Sequence, residues 1–367
     1  MSSPRPLWRD EWQLLFVWAS ALAWLLHGKA WIAGLSNPWS AAGFFVWVCL
    51  AILLAAFAVV RHADVLAERF GEPYGTMILT FAVISLEVFM ISALMLEGGQ
   101  PTLARDTMYS VIMIVLAGLV GICLLLGGIK FHEQFFNLRG AGSYLSMIIP
   151  LAAIGLVLPD FTRSGAQQSF SPTHAVALVI LSVAIYTVFL LMQTSRHRGF
   201  FTATAEEVEK LHPHVDSTRS SALHGAMLVI YIVPVVILAK KLAGVLDFTT
   251  QISGLPVAFG GLVVAVLILA PEGLAAIQSA LKNQLQRSVN VLLGSVLATI
   301  GLTIPAALAI SLCTGQEIVL GLDPAEVTML LIVLAVSMLT FGQGRTNMLQ
   351  GAVHLLIFGV YLFLIFD

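Results

Sequence analysis

Two glutamates, Glu87 and Glu272, lie well inside long apolar stretches of the sequence, whereas the other charged side chains fall in polar stretches or near their borders. An ionised carboxylate at the centre of a bilayer costs roughly 2.5–3.5 kcal/mol on insertion scales. Such a residue is therefore expected to face a polar partner, water or a transported ion. We take each glutamate as a candidate ion-binding group; the structural alternative is a protonated glutamate that bonds to a neighbouring helix.

The two glutamates occupy matching places in the two halves of the chain. A shift of 185 residues carries three residues of the first half onto identical residues of the second: Gly75 onto Gly260, Glu87 onto Glu272 and Ser110 onto Ser295. The glutamates fall in the third and eighth apolar runs, which are five runs apart. Because five is odd, the second copy is predicted to be inserted upside down, as in inverted-repeat transporters whose ion sites lie near the bilayer midplane.

Two desolvated carboxylates that share a site must be neutralised, either by protons or by a cation. A hard divalent cation such as Ca²⁺ takes several oxygen ligands, so Glu87 and Glu272 predict both proton binding and cation binding, and hence antiport. Further oxygens could come from backbone carbonyls freed by Pro271 and from four hydroxyl side chains: Ser85, Ser110, Ser295 and Thr299. Serine and threonine in membrane helices often bond the preceding turn instead. No catalytic residue and no bound cofactor are expected.

The elements that must position these residues are membrane-spanning helices. The chain has 367 residues, of which 59% are hydrophobic and 10% charged, with a mean hydropathy of +0.95, which excludes a water-soluble fold. A net charge of −2 gives no support for nucleic-acid binding. The apolar runs predict an all-α polytopic membrane protein with eleven spans, near 13–27, 41–60, 74–96, 107–129, 143–158, 175–193, 222–239, 255–281, 288–312, 327–342 and 348–366.

The predicted organisation is one extra helix followed by two inverted five-helix repeats. Residues 1–40 form a tail and the extra helix, 41–193 and 222–367 form the repeats, and 194–221 form a polar linker. The glutamates and histidines of that linker could sense metal or pH, or belong to a solvated loop. Loops on the N-terminal side collect most of the 18 Lys and Arg, so the N-terminus is predicted to be cytoplasmic and the C-terminus external.

Six segments of the sequence carry specific motifs: 60–67, 71–75, 86–88, 271–274, 294–299 and 344–347. Together they closely resemble bacterial ChaA-type calcium/proton antiporters of the calcium/cation antiporter superfamily. The resemblance implies a ten-helix core of two inverted halves, an extra N-terminal helix, a cytoplasmic linker and a place in the bacterial inner membrane. It also implies that Glu87 and Glu272, in signature segments near 71–121 and 260–305, bind the cation and the proton.

The chain departs from the vacuolar members of that superfamily, which typically carry amide side chains near both glutamates. Here Ser85 precedes the first glutamate, and Met113 and Ala298 follow the two matched serines. Export of cytoplasmic Ca²⁺ against H⁺ is the first expectation, and Na⁺/H⁺ or K⁺/H⁺ antiport on the same scaffold is the alternative. A cation channel is a further alternative, whereas an intramembrane zinc enzyme is disfavoured because Phe136 replaces the second histidine of HExxH. The expected partners are transported cations, protons and membrane lipid, and the oligomeric state stays open.

Overall fold

The computed structural model describes residues 11–35, 37–71, 74–96, 101–162, 169–201 and 220–366. These residues contain eleven helices that are long and apolar enough to cross a membrane, which confirms the predicted all-α polytopic fold. In chain order they are α1 (Trp12–Ala33), α2 (Pro38–Phe70), α3 (Tyr74–Leu96), α4 (Leu103–Phe131), α5 (Leu138–Phe161), α6 (Pro172–Arg196), α7 (Ser221–Ser253), α8 (Ala258–Leu281), α9 (Leu285–Thr314), α10 (Pro324–Phe341) and α11 (Met348–Ile365).

Local sequence signals set where several of these helices begin. The α2 helix starts with Pro38, whose fixed φ suits a first helical position, and the side chain of Asn37 accepts the backbone N–H of Trp39. Both α10 and α11 begin with a capping box, formed by Asp323 with Glu326 and by Asn347 with Gln350. These caps satisfy backbone groups that would otherwise be left unpaired at the helix starts.

The described helices form two compact units. The first unit comprises α1, α2, α3 and α7, and the second comprises α4 to α6, α8 from Gly261 onward, and α9 to α11. In the first unit α2 packs along α7, and each has 33 residues. These two helices open the two predicted repeats, so each compact unit draws helices from both halves of the sequence. The division into repeats stays a prediction, and residues 202–219 of the predicted linker lie outside the described residues.

In the second unit, glycines bring the backbones of α4 and α11 into direct contact. A Cβ added at Gly128 would lie 2.5 Å from the amide nitrogen of Met348, and one added at Gly351 would overlap the amide nitrogen of Leu125. One at Gly121 would lie 2.8 Å from Leu355. The contacting residue numbers increase along α4 while they decrease along α11, so the two helices are antiparallel. Small residues permit this close approach, which favours packing between helices in a membrane.

A short two-stranded ribbon closes one end of the second unit. Strand β1 (Glu133–Phe135) pairs antiparallel with β2 (Arg345–Asn347). Gln134 in β1 donates to the carbonyl of Ala280, and Lys130 donates to that of Leu281, so α4 and α8 end at the same side of the unit. The ribbon therefore fixes the relative height of the two helices that carry Ser110 and Glu272.

Candidate functional site

Two turns of π-helix interrupt the helices that carry the matched serines. The first spans Ile114–Leu119 in α4 and the second spans Thr299–Thr303 in α9. Their starts are 299 − 114 = 185 residues apart, the same shift that relates the two glutamates. A π-turn inside an α-helix is rare and is often found at functional sites. The repeat therefore extends to a backbone irregularity that the sequence did not predict.

The two π-turns pack in a reciprocal way within the second unit. The π-turn of α4 contacts the Leu285–Ala298 part of α9, and the π-turn of α9 contacts the Leu103–Met113 part of α4. Such an exchange of contacts is what two copies of one motif give when they cross about an approximate two-fold axis. The crossing brings together the two helices that supply Ser110, Ser295 and Thr299.

Glu272 lies on α8, and the residue that follows it contacts the same π-turn of α4. A Cβ at the next residue, Gly273, would lie 2.9 Å from the side chain of Leu119, the last residue of that turn. The side chain of Glu272 is half-buried. The preceding Pro271 has no N–H to donate to the carbonyl of Leu267, one helical turn earlier. The second unit thus holds Glu272 and a carbonyl that a cation could use.

The hydroxyl groups predicted as further ligands differ in exposure and in partners. Thr299 is fully buried, Ser110 is almost fully buried, and Ser295 is half-buried. The hydroxyl of Tyr361, on α11, donates to the Ser110 hydroxyl at 2.7 Å. Sequence reasoning missed Tyr361, because 251 residues separate it from Ser110 and it looks like any aromatic residue of an apolar helix.

Glu87 and Ser85 lie on α3 in the first unit, where α3 packs against α2 and α7. Glu87 is 3% exposed, and Ser85 is half-buried. At the start of α3, a Cβ on Gly75 would overlap the backbone of Ala67, so this glycine allows α2 and α3 to meet closely. The structure therefore places the first glutamate among packed helices, as its apolar sequence context suggests.

A buried ion pair at the start of α4 was not predicted. The guanidinium of Arg105 donates to Asp106 at 2.8 Å and to the carbonyl of Gly321 at 2.9 Å. The hydropathy pattern predicts a span that starts at 107, which leaves these two charges in the preceding loop. The helix begins earlier, at Leu103, because the two charges satisfy one another and a backbone carbonyl. Within the described segments, no group of three or more His, Cys, Asp or Glu side chains could hold a metal ion.

Eleven spans and matched helices that carry intramembrane glutamates are typical of ion exchangers built from a duplicated helix set. The chain belongs to the sodium/calcium exchanger protein family, whose sequence pattern matches residues 40–195 and 223–366. This membership confirms the resemblance to the calcium/cation antiporter superfamily, and the chain is a cation/proton antiporter rather than an enzyme.

Individual relatives agree with this assignment. The chain is 46% identical to the sodium-potassium/proton antiporter ChaA of Escherichia coli over 86% of this chain and 87% of that one. It is 22% identical to the Ca²⁺/H⁺ antiporter ChaA of Bacillus subtilis, over 88% and 91% of the two chains. Among solved structures, native YfkE matches the fold with a TM-score of 0.74 at 18% identity, over 96% of this chain and 99% of that one. The H⁺/Ca²⁺ exchanger CAX matches with a TM-score of 0.67 at 15% identity, over 97% and 88%.

Proposed function

We propose that this antiporter exports a cytoplasmic cation in exchange for external protons, and that Glu87 and Glu272 together form the shared site. One observation supports this above the others. The two glutamates and the two π-turns are related by the same 185-residue shift, so both copies of the duplicated motif keep a carboxylate and, further along the chain, a π-turn. Duplication of an acid at an equivalent intramembrane position is expected when both copies contribute to one site.

Exchange follows from the charge on the proposed pair. Two ionised glutamates carry a charge of −2, which one divalent cation or two protons would neutralise, and neither carboxylate can stay ionised cheaply without one of them. Occupation by cation and by protons is therefore mutually exclusive. When the site opens alternately to the two sides of the membrane, the cation leaves on one side only after protons have taken its place.

Ca²⁺ is the first cation that we propose, because it prefers several oxygen ligands and tolerates irregular geometry. The two carboxylates would supply up to about four of these oxygens. The carbonyl of Leu267 is a further donor, and four hydroxyls complete the proposed set: Ser85, Ser110, Ser295 and Thr299. No resident cofactor takes part in this scheme.

A monovalent cation, Na⁺ or K⁺, is the second candidate on the same scaffold. The relative that is 46% identical is named a sodium-potassium/proton antiporter. In addition, the proposed set contains hydroxyls and no amide side chain, so the site offers fewer strong dipoles to a divalent ion. With Na⁺ or K⁺, one glutamate would bind the cation while the other keeps its proton.

We place the protein in a bacterial inner membrane with its N-terminus in the cytoplasm. The excess of Lys and Arg in loops on the N-terminal side supports this orientation. With eleven spans, the C-terminus would then be external.

Transport in everted membrane vesicles tests the proposal. A pH gradient is imposed, and its dissipation is followed on addition of Ca²⁺, Na⁺ or K⁺ in separate arms. Wild-type protein should dissipate the gradient with at least one cation, whereas Glu87→Gln and Glu272→Gln should each reduce the response to background. Glu317→Gln is the matched control, because Glu317 is exposed and lies outside the helices. Full exchange in both site variants would contradict the two-glutamate mechanism, and cation flux without proton flux would indicate a channel.

A further inference from the structure

A second group of ionisable side chains lies in the first unit, away from the proposed glutamate site. Glu11 immediately precedes α1, His62 lies near the end of α2, and His224 lies in the first turn of α7. All three side chains are buried, with exposures of 6%, 2% and 5%. Buried ionisable groups that sit together in a membrane protein are costly and are functional candidates.

These side chains form a continuous chain of polar contacts. The Nδ1 atoms of His62 and His224 are 2.8 Å apart, and Nε2 of His62 lies 3.5 Å from Oε1 of Glu11. The other oxygen of Glu11 accepts from the Tyr231 hydroxyl at 2.8 Å and from Nη2 of Arg61 at 2.6 Å. The contacts join the start of α1 to the end of α2 and the start of α7.

The geometry limits how many protons the histidine pair can hold. One of two Nδ1 atoms at hydrogen-bond distance carries a proton and the other accepts it. Because the carboxylate of Glu11 faces Nε2 of His62, that nitrogen favours its N–H form, so Nδ1 of His62 accepts from Nδ1 of His224. If both rings were doubly protonated, two N–H groups would face each other. The pair can therefore take up one additional proton and no more while the contact lasts.

We propose that His62 and His224 form a single proton-binding site that is separate from the ion-exchanging glutamates. An added proton binds Nε2 of His224, and the shared proton then moves to Nδ1 of His62, which puts the positive charge beside Glu11. The first step adds one proton from water and changes the charge of the pair from 0 to +1, and the second step moves one proton between the two Nδ1 atoms without changing that charge. The ligand is a proton from the aqueous phase at the side where α1 begins.

Other charged groups around the pair are few among the described residues. Arg61 from α2 and Tyr231 from α7 face Glu11, while Asp64, Glu68 and Arg69 of α2 and Tyr74 of α3 are exposed. Between Tyr74 and Glu87, α3 has no ionisable side chain. Starting from the contact of Gly75 with Ala67 and using the rise of 1.5 Å per residue, Glu87 lies about 10 Å farther along the helix axis than His62.

The charge state of Glu11 supports its role as counter-ion. Burial alone would raise the pKa of Glu11, but the nearby imidazole of His62, the hydrogen bond from Tyr231 and the charge of Arg61 outweigh it, so its pKa lies below the ordinary value. Glu11 is therefore ionised near neutral pH. A proton on His62 turns their contact into an ion pair, which holds α1 to α2 at low pH and is lost as the pH rises through the midpoint of the histidine pair.

Direct titration of the histidines tests this site without relying on transport. Full-length protein is prepared in detergent with ¹³C-labelled imidazole rings, and NMR follows its nine histidines with pH. The signals of His62 and His224 are assigned from their loss in His62→Gln and His224→Gln. We expect both signals to move over one common pH interval. Glu11→Gln keeps an acceptor for Tyr231 but removes the negative charge beside the histidine pair. The midpoint of the pair's titration should therefore fall by about one pH unit, which is a tenfold loss of proton affinity.

His27→Gln is the matched control, because His27 belongs to the same unit and is exposed. It should leave both signals unchanged. Replacing either histidine of the pair should move the midpoint of the other. Independent titration of the two rings, or a midpoint that stays in place in Glu11→Gln, would overturn the proposal. Because proton binding is measured directly, a failure here differs from a failure of the glutamate mechanism, which only transport reports.

Discussion

Replacing Gly351 by alanine is the sharpest test of how α4 is held in the second unit. The added Cβ would overlap the amide nitrogen of Leu125 and lie 2.8 Å from its Cα and 2.9 Å from the carbonyl oxygen of Gly121. All three atoms belong to the backbone of α4, so no side-chain rotation can make room. The two helices must move apart for the methyl group to fit.

The size of the effect follows from these distances. Carbon atoms pack at about 3.5–4.0 Å, so the helices must separate by about 1 Å, which weakens their contacts along the whole seam. Overpacking of this kind typically costs about 1–3 kcal/mol, and the rigid backbone puts Gly351→Ala at about 3 kcal/mol. At about 2 °C per kcal/mol for a chain of this length, the Tm should fall by about 6 °C.

Thermal unfolding of the purified protein in detergent, followed by tryptophan fluorescence, measures this fall. Gly359→Ala is the matched control on the same helix, because a Cβ there meets nothing within 4 Å. Alanine is the better helix former by about 1 kcal/mol, so the control should melt at or slightly above the wild-type temperature. If both variants melt together with the wild type, the close backbone contact of α4 and α11 does not exist as described.

Three further predictions concern the site, the topology and the pH response. Tyr361→Phe removes the hydroxyl that donates to Ser110. At about 0.5–1.5 kcal/mol for one hydrogen bond, it should raise the KM for the cation about twofold to thirteenfold in vesicle transport, with little change in Tm. In the proposed orientation, Cys313 is exposed near the external end of α9, so a membrane-impermeant maleimide applied to intact cells should label it. Cys123 is buried and should not react. Labelling of Cys313 only in everted vesicles would show that the orientation is the reverse of the proposed one. The pKa of Glu11 is lowered from 4.5, so the ionised carboxylate contributes fully to stability above that pH. This contribution disappears as the pH falls through the lowered pKa. The Tm should therefore drop more steeply below about pH 4.5 in the wild type than in Glu11→Gln.

Hydropathy alone predicted the number of spans, because apolar length is conspicuous in a membrane protein. Charge singled out the two glutamates as candidates, and their role as the ion site stays a prediction. The predicted ends of the spans were less accurate where a helix contains polar side chains that find partners inside the protein. The second span was predicted to end at 60, but α2 continues to Phe70. Arg61 and His62 looked like the start of a loop, yet Glu11 and His224 satisfy them within the first unit.

Features that depend on distant parts of the chain could not be predicted. The His62–His224 contact joins residues 162 positions apart, and no short-range pattern links them. The π-turns have no sequence signature of their own, since Ile114–Leu119 and Thr299–Thr303 have no identical residue at matched positions. The two matched serines did mark the helices that carry the π-turns, which begin four residues further on in each helix.

The glycine contacts between α4 and α11 restrict how the second unit can rearrange during a transport cycle. Where two backbones touch without intervening side chains, one helix cannot slide along the other, because the movement would bring backbone amide and carbonyl atoms into steric overlap. We therefore expect α4 and α11 to move as one rigid body. Any deformation inside this unit that accompanies alternation must take place along seams lined by flexible side chains.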